Sequence, residues 1–350
     1  MRPIGPKDLV GIVLTPIEAV SSTLERKLGF FSVVIISLSA MIGSGLFVLP
    51  SLAYAMVGGG VWLAYVLAAL VVLPGAISHS ELASAMLTSG GSFVFIERTF
   101  GPLFGTIAGL GLWASFLLKA TFALIGFSAY LMFVQGYLGT DVSAIQAALS
   151  MLVLIGIVTI LGMKRIKAVQ TPIVTLSILM LVGLTIWANV SGDADYSKAR
   201  PVLQSTSDWT RMGEAAAFVL VSYAGVAKVA AIGGEIKNPG KNLPGGILTS
   251  LGIGAVLYAL LVATMVAVFP HEAFFDSNGH AIQDPVRAFA EVIGGSNVAI
   301  FAAVVAILTM TSMSLAGILA LSRYLFAMSR AHLPTDLLEA VPTYLDTPPH

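Results

Sequence analysis

Eight apolar stretches, each long enough to cross a bilayer, constrain this chain more than any other feature. They lie near residues 31–55, 61–87, 103–134, 143–162, 169–190, 212–234, 246–269 and 297–327; about 20 residues of helix reach across the hydrocarbon core. Each stretch is continuously apolar, without the alternation of a barrel strand, so each reads as a helix that satisfies its own backbone groups. Polar runs separate them: TSGGSFVFIERTFGP, GYLGTD, MKRIK, SGDADYSKARPVLQSTSDWTR and EIKNPGKNLP. A longer run, HEAFFDSNGHAIQDPVRAFAEVIGGS, holds short apolar patches suited to re-entrant or surface helices.

Composition agrees. Charged residues make up 10% of the chain and apolar residues 57%, where a soluble domain carries about 25% charged residues. Mean hydropathy is +0.92. The reading is an all-α polytopic membrane protein, with the lipid bilayer as its first partner. Net charge is zero, which gives no reason to expect a nucleic-acid partner. The chain has no cysteine, so disulfides and thiolate metal sites are excluded. His79, His271, His280, His332 and His350 show no ligand spacing such as HExxH, and PGKN lacks the spacing and hydroxyl of a phosphate loop. No metal site, no ATP-driven pump and no enzyme are expected. Residues 1–30 carry Arg2, Lys7, Glu18, Glu25, Arg26 and Lys27 without an early apolar core, so they read as a cytoplasmic segment and not a cleavable signal.

Cations set the orientation. With the N-terminus inside, twelve Lys and Arg fall on the inner side (Arg2, Lys7, Arg26, Lys27, Arg98, Lys164, Arg165, Lys167, Lys237, Lys241, Arg323, Arg330) and four on the outer (Lys198, Arg200, Arg211, Arg287). That bias predicts a cytoplasmic N-terminus in the cell membrane. The two remaining cations, Lys119 and Lys228, fall within spans.

Two spans are interrupted. The first contains AMIGSGLFVLP, with Gly43, Ser44 and Gly45 at its middle and Pro50 just beyond; the sixth contains SYAG, with Ser222, Tyr223, Ala224 and Gly225 at mid-depth. Glycine costs about 1 kcal/mol against alanine inside a helix. A single small-residue cluster most often marks a packing seam between helices. Two interruptions at matching places in two five-helix halves point instead to a solute site built on inverted repeats. An opened helix offers amides and a partial positive charge at one half-helix end, and free carbonyls at the other. A zwitterion suits such a pair of gaps.

MIGSGLFVLPSLAYAMVGGG, SELASAMLTSGGSFVFIERTFGPLFGTIAGLGLW, SYAGVAKVAAIGGEIKNPGKNLP and LSRYLFAMSRAHLP resemble, in order and spacing, the amino acid–polyamine–organocation superfamily of transporters. The resemblance runs from about residue 30 to the C-terminus. It implies a leucine-transporter-like inverted-repeat fold and alternating access around a site between helices one, three, six and eight. The transmembrane domain is then 31–350, with a first repeat over 31–190 and an incomplete second over 211–350. The chain stops just after the eighth span, so the expected fold is truncated after about eight transmembrane helices. By position, the backbone around Ile42, Gly43, Ser44 and Gly45 would hold a substrate carboxylate, and Tyr223, Ala224 and Gly225 would receive its ammonium group. The implied function is secondary transport of an amino acid coupled to an ion gradient or exchange. The alternative is an amino acid sensor or a non-transporting membrane subunit.

The chain departs from the family pattern where it places Ala227 and Lys228, in place of an acidic or polar residue, after the sixth-helix glycine. Its fifth span, TPIVTLSILMLVG, lacks the lysine that many proton-coupled members place there. Charges at mid-depth are costly, by about 3 kcal/mol on insertion scales, which makes a functional role the default. Lysine can carry a proton when desolvated, and Lys228 and Lys119 are the candidates for proton coupling. Ser312, with Ser314, Thr309 and Thr311 nearby, is the candidate for sodium coupling, against the ordinary reading that such hydroxyls bond their own backbone. Two lysines with no carboxylate at matching depth favour a neutral or acidic amino acid over dications.

Overall fold

In the computed structural model the described residues are 28–86, 91–139, 143–160, 163–192, 194–200, 203 and 205–330. They form helices almost throughout, with two isolated bridges in place of any sheet. The first span is α1 (Phe30–Met41), α2 (Ser44–Phe47) and α3 (Leu49–Val57); α4 (Val61–Ala85) follows a 3-10 turn of three glycines. Next come α5 (Ser92–Phe100), α6 (Pro102–Leu138), α7 (Ala144–Ile160) and α8 (Met163–Val190). The sixth span is α9 (Thr206–Val219), a 3-10 turn (Leu220–Ser222) and a 3-10 stretch (Val226–Glu235). The chain then runs through α10 (Pro239–Val268) and α11 (Pro285–Arg330).

Among the described residues, five continuous helical stretches are long and apolar enough to cross a membrane: Leu49–Ala85, Pro102–Tyr137, Ala168–Val190, Pro239–Val268 and Pro285–Ile318. The first and sixth spans fall short of that length because they are interrupted, and the fourth is a short apolar helix. The run TSGGSFVFIERTFGP, read as a polar separator, contains the amphipathic helix α5; it turns into α6 at Gly101, whose φ of +91° favours glycine. The long run after α10 holds a 3-10 turn (His271–Phe274), and α11 begins there, ahead of a kink at Gly295. The capping box of Ser205 and Asp208 fixes where α9 starts.

The core is a layer of mutually packed spans. α11 lies chiefly against α6, and α10 against α4 and α1. Outward-facing Leu118, Leu179, Val256 and Leu260 are exposed, as a lipid-facing surface requires. Small side chains let the centre close tightly: a Cβ on Gly246 would stand 2.3 Å from Val33, and one on Gly126 would stand 2.5 Å from Val48.

Candidate functional site: two interrupted helices in contact

The first break opens at Ile42 and Gly43, which are extended (Ile42 φ −73°, ψ 114°; Gly43 φ 172°, ψ −135°). The helix restarts at Ser44. The amides of Leu46 and Phe47 return to the Gly43 carbonyl, each at 3.0 Å. Those of Ser44 and Gly45 lie in the first turn, where no intrahelical carbonyl precedes them. The chain bends again at Val48 (φ −124°, ψ −45°), with Pro50 in the first turn of α3. The break is thus two bends around one helical turn.

The second break is of another kind. Residues 220–222 tighten to 3-10 geometry, Tyr223 and Gly225 keep helical torsions, and the span resumes as a 3-10 stretch from Val226. Its glycine is required by proximity: a Cβ on Gly225 would lie 2.2 Å from the Ala40 carbonyl oxygen and 2.7 Å from the Met41 amide nitrogen. A Cβ on Gly45 would likewise meet Ser222 at 2.6–2.8 Å, and one on Gly43 would meet Met313 of α11 at 2.3 Å. The two glycine clusters therefore touch each other. Ser44 Oγ reaches Met313 Sδ at 3.9 Å.

Carbonyls released by the breaks find donors from other spans. Tyr65 of α4 donates to the Gly45 carbonyl at 2.9 Å, and Ser222 donates to the same oxygen at 3.1 Å. Tyr130 of α6 donates to the Phe47 carbonyl at 2.5 Å and meets the Phe47 ring edge-on. The Tyr223 hydroxyl donates to the Tyr65 carbonyl at 3.1 Å, so its side chain points toward α4 while its backbone lines the break. Tyr65, Tyr223 and Tyr258 form one ring cluster, with Tyr258 5.1 Å from Tyr223 and 5.8 Å from Tyr65.

Lys119 enters this centre from α6. It is 5% exposed, and its Nζ donates to the Ala40 carbonyl at 3.2 Å and to the Val221 carbonyl at 2.9 Å. Lys228 lies on the 3-10 stretch after the second break; its side chain is outside the described residues. Ser312 sits on α11, where its carbonyl accepts from Gln170 Nε2 at 3.2 Å. The Ser312 hydroxyl is buried and without a hydrogen-bond partner among the described residues. Thr309 and Thr311 bond carbonyls of their own helix, at 2.6 and 2.8 Å, and Thr309 also meets Ser177 of α8 at 2.5 Å. Among the described residues no cluster of His, Asp and Glu fit for a metal ion occurs.

Both ends of the interrupted pair are closed. At the end where the chain enters α1, Leu28 and Ile236 form a parallel bridge: the Leu28 amide donates to the Glu235 carbonyl at 3.0 Å, and the Lys237 amide donates to the Leu28 carbonyl at 2.8 Å. At the opposite end Tyr54 of α3 stacks on Phe274 at 3.7 Å and bonds His271 Nδ1 at 3.0 Å. Ser51 donates to the Ile282 carbonyl there. Arg287 of α11 pairs with Asp284 and Glu291 and lies 4.6 Å over the Phe133 ring of α6.

A membrane-embedded helical core built around two touching helix interruptions defines the class as a leucine-transporter-type fold. The chain matches the solved structure of Mhp1, a nucleobase-cation-symport-1 family transporter in a closed conformation with bromovinylhydantoin bound. The TM-score is 0.60 at 16% identity, covering 92% of this chain and 70% of that one. Residues 28–336 match the family model described as amino acid permease. The branched-chain amino acid permease of Bacillus subtilis is 30% identical over 343 residues, covering 93% of this chain and 72% of that protein. The branched-chain amino acid permease of Lactococcus lactis is 27% identical, covering 84% and 66%, and the methylthioribose transporter of Bacillus subtilis is 25% identical, covering 95% and 73%. The chain belongs to the amino acid permease family.

Proposed function

We propose that this protein carries a neutral amino acid across the cell membrane by alternating access, with its N-terminus in the cytoplasm. One observation carries the reading: the interruptions of the first and sixth spans meet at mid-depth, Gly225 against Ala40 and Gly45 against Ser222. Ser44 and Gly45 present first-turn amides there, a ready partner for a carboxylate. In this reading Ile42 to Gly45 take the substrate carboxylate, and the backbone of Tyr223 to Gly225 takes its ammonium group. The repeats, 31–190 and 211–350, supply one interrupted helix each. The names of the two branched-chain amino acid permeases support an amino acid substrate. A buried lysine at the breaks disfavours a second positive charge on the solute.

The test is counterflow of labelled leucine in proteoliposomes, with competition by alanine, isoleucine, arginine, ornithine and putrescine. Neutral amino acids should compete and the dications should not. Preferential uptake of arginine or putrescine overturns the substrate assignment; absence of counterflow with every amino acid overturns transport. Orientation has its own test. The chain lacks cysteine, so Ser197→Cys at an exposed position should react with an impermeant maleimide on intact cells. Labelling only after lysis would reverse the topology.

A further inference from the structure

Met313 of α11 lies directly over the first break. Three of its atoms, Cβ, Cγ and Sδ, stand 2.9, 3.0 and 2.3 Å from the place that a Cβ on Gly43 would take. Its sulfur also meets Ser44 Oγ at 3.9 Å. Met313 and Ser44 are each 1% exposed. The φ of Gly43, 172°, is extended, so the glycine is required here by the methionine pressed on it and not by its own backbone torsion.

One turn earlier on α11, Met310 is fully buried and packs on the facing helix: a Cβ on Gly126 of α6 would meet its Cε at 3.2 Å and its Sδ at 3.4 Å. The same Cβ would meet Val48, at the second bend of the first span, at 2.5 Å. Residues three apart share a helix face, so α11 turns two methionines toward the first span and the adjoining wall of α6. A methionine has three rotatable bonds and a polarizable sulfur, and surfaces built from it repack around side chains of different shape. A solute that lays its carboxylate on the first turn, at Ser44 and Gly45, brings its own Cα and side chain to the ground that Met313 covers. The thioether has to move before such a solute can settle.

We propose that Met313 is a specificity-determining residue of this site: its thioether covers the first break, swings aside for the solute, and then forms the wall against which the solute's side chain packs. The class it selects is the aliphatic amino acid of about the size of leucine or methionine. Glycine and alanine leave the displaced thioether without replacement contacts, and the indole of tryptophan asks for more room than a retracted thioether gives. This rests on the transport reading for the solute, but the cover over the break does not.

Two measurements on the full chain separate the parts. The first is thermal unfolding of purified protein in detergent, without any amino acid, over a double-mutant cycle of Gly43→Ala and Met313→Ala. Gly43→Ala should lower the midpoint of the wild type, and lower it clearly less in the Met313→Ala background, where only Cβ of the three colliding atoms remains. An equal drop in both backgrounds overturns the cover. The second is competition against labelled leucine in proteoliposome counterflow. The wild type should rank leucine and methionine above alanine, with tryptophan last. Met313→Ala should gain competition by tryptophan relative to leucine by about tenfold or more, since one methylene in an apolar pocket is worth about 10–200-fold. An unchanged ranking overturns the specificity assignment. Met313→Leu conserves volume, which guards against a variant that fails to fold, but its side chain has one rotatable bond fewer. Its half-saturating leucine concentration should rise while its unfolding midpoint holds; a wild-type value would overturn the swing of the thioether. Failure of the wild type to exchange any amino acid would defeat the transport reading, and the Gly43 cycle would still decide the cover.

Discussion

Gly225→Ala adds a single methyl group where the two interrupted helices meet. The new Cβ would stand 2.2 Å from the Ala40 carbonyl oxygen and 2.3 Å from its carbonyl carbon, more than 1 Å short of the 3.4 Å at which ordinary contact begins. The obstacle is backbone, so no rotamer relieves it; the breaks must separate by about that distance. Overpacking of this kind costs about 1–3 kcal/mol, and more where backbone has to move. The displacement would also stretch the Lys119 bridge, because Ala40 and Val221 lie on opposite sides of the wedge. For a chain this long a cost of 2 kcal/mol lowers the unfolding midpoint by about 4–8 °C or somewhat less, and binding should weaken by about tenfold or more. Gly183→Ala in α8 is the control: nothing lies within 4 Å of its Cβ, and alanine is the better helix former. Thermal unfolding in detergent and counterflow of labelled leucine would be read side by side. Wild-type stability and counterflow in Gly225→Ala, with Gly183→Ala equally unaffected, would refute the contact between the breaks.

Gly45→Leu should abolish substrate binding yet leave membrane insertion intact, since its side chain collides with Ser222 and covers the first-turn amides; flow-through of labelled leucine from immobilised protein measures it. Tyr130→Phe strips the donor from the buried Phe47 carbonyl, and an unsatisfied buried group costs about 1–3 kcal/mol, which a lowered thermal midpoint would report. Tyr65→Phe and Ser222→Ala each leave the Gly45 carbonyl one donor. Their double mutant should lose more stability than the two single changes added together, and strict additivity would show that the oxygen is not shared. Tyr54→Phe should keep the stack on Phe274 and lose only the bond to His271, so uptake should change less than with Tyr54→Ala.

Much of the fold was legible because lipid removes choices. A run without charge that must hide its backbone has one economical answer, and the spans, their order and both interruptions followed from that. The glycines at 43, 45 and 225 could be read as breaks because their cost in a helix demands a reason. What they touch was not legible: that Gly225 faces Ala40 depends on how two spans cross. The buried tyrosines were missed for a related reason. Tyr65, Tyr130 and Tyr258 look like ordinary interior aromatics, and only the fold shows that two of them serve carbonyls freed by the first break. The depth of Lys119 was evident, but its acceptors come from residues 79 and 102 positions away. α5 was hidden by its polar flank, since nine residues with Glu97 and Arg98 read as a loop when hydropathy alone is weighed.

The bridge between Leu28 and Ile236 has a consequence for genetics. It is written in main-chain atoms, the Leu28 amide to Glu235 and the Lys237 amide to Leu28, so any residue with an N–H can keep it. An alanine scan of 28 and 235–237 should therefore report the packing of the buried Leu28 and Ile236 and not the main-chain tie itself. Homologues could exchange these side chains without losing the two bonds, within what the buried places of Leu28, Glu235 and Ile236 allow. Only proline is informative there, because it removes the donor itself: at 28 it cuts one strand of the tie, at 237 the other. A closure of this kind is invisible to selection on side chains and heritable only as shape.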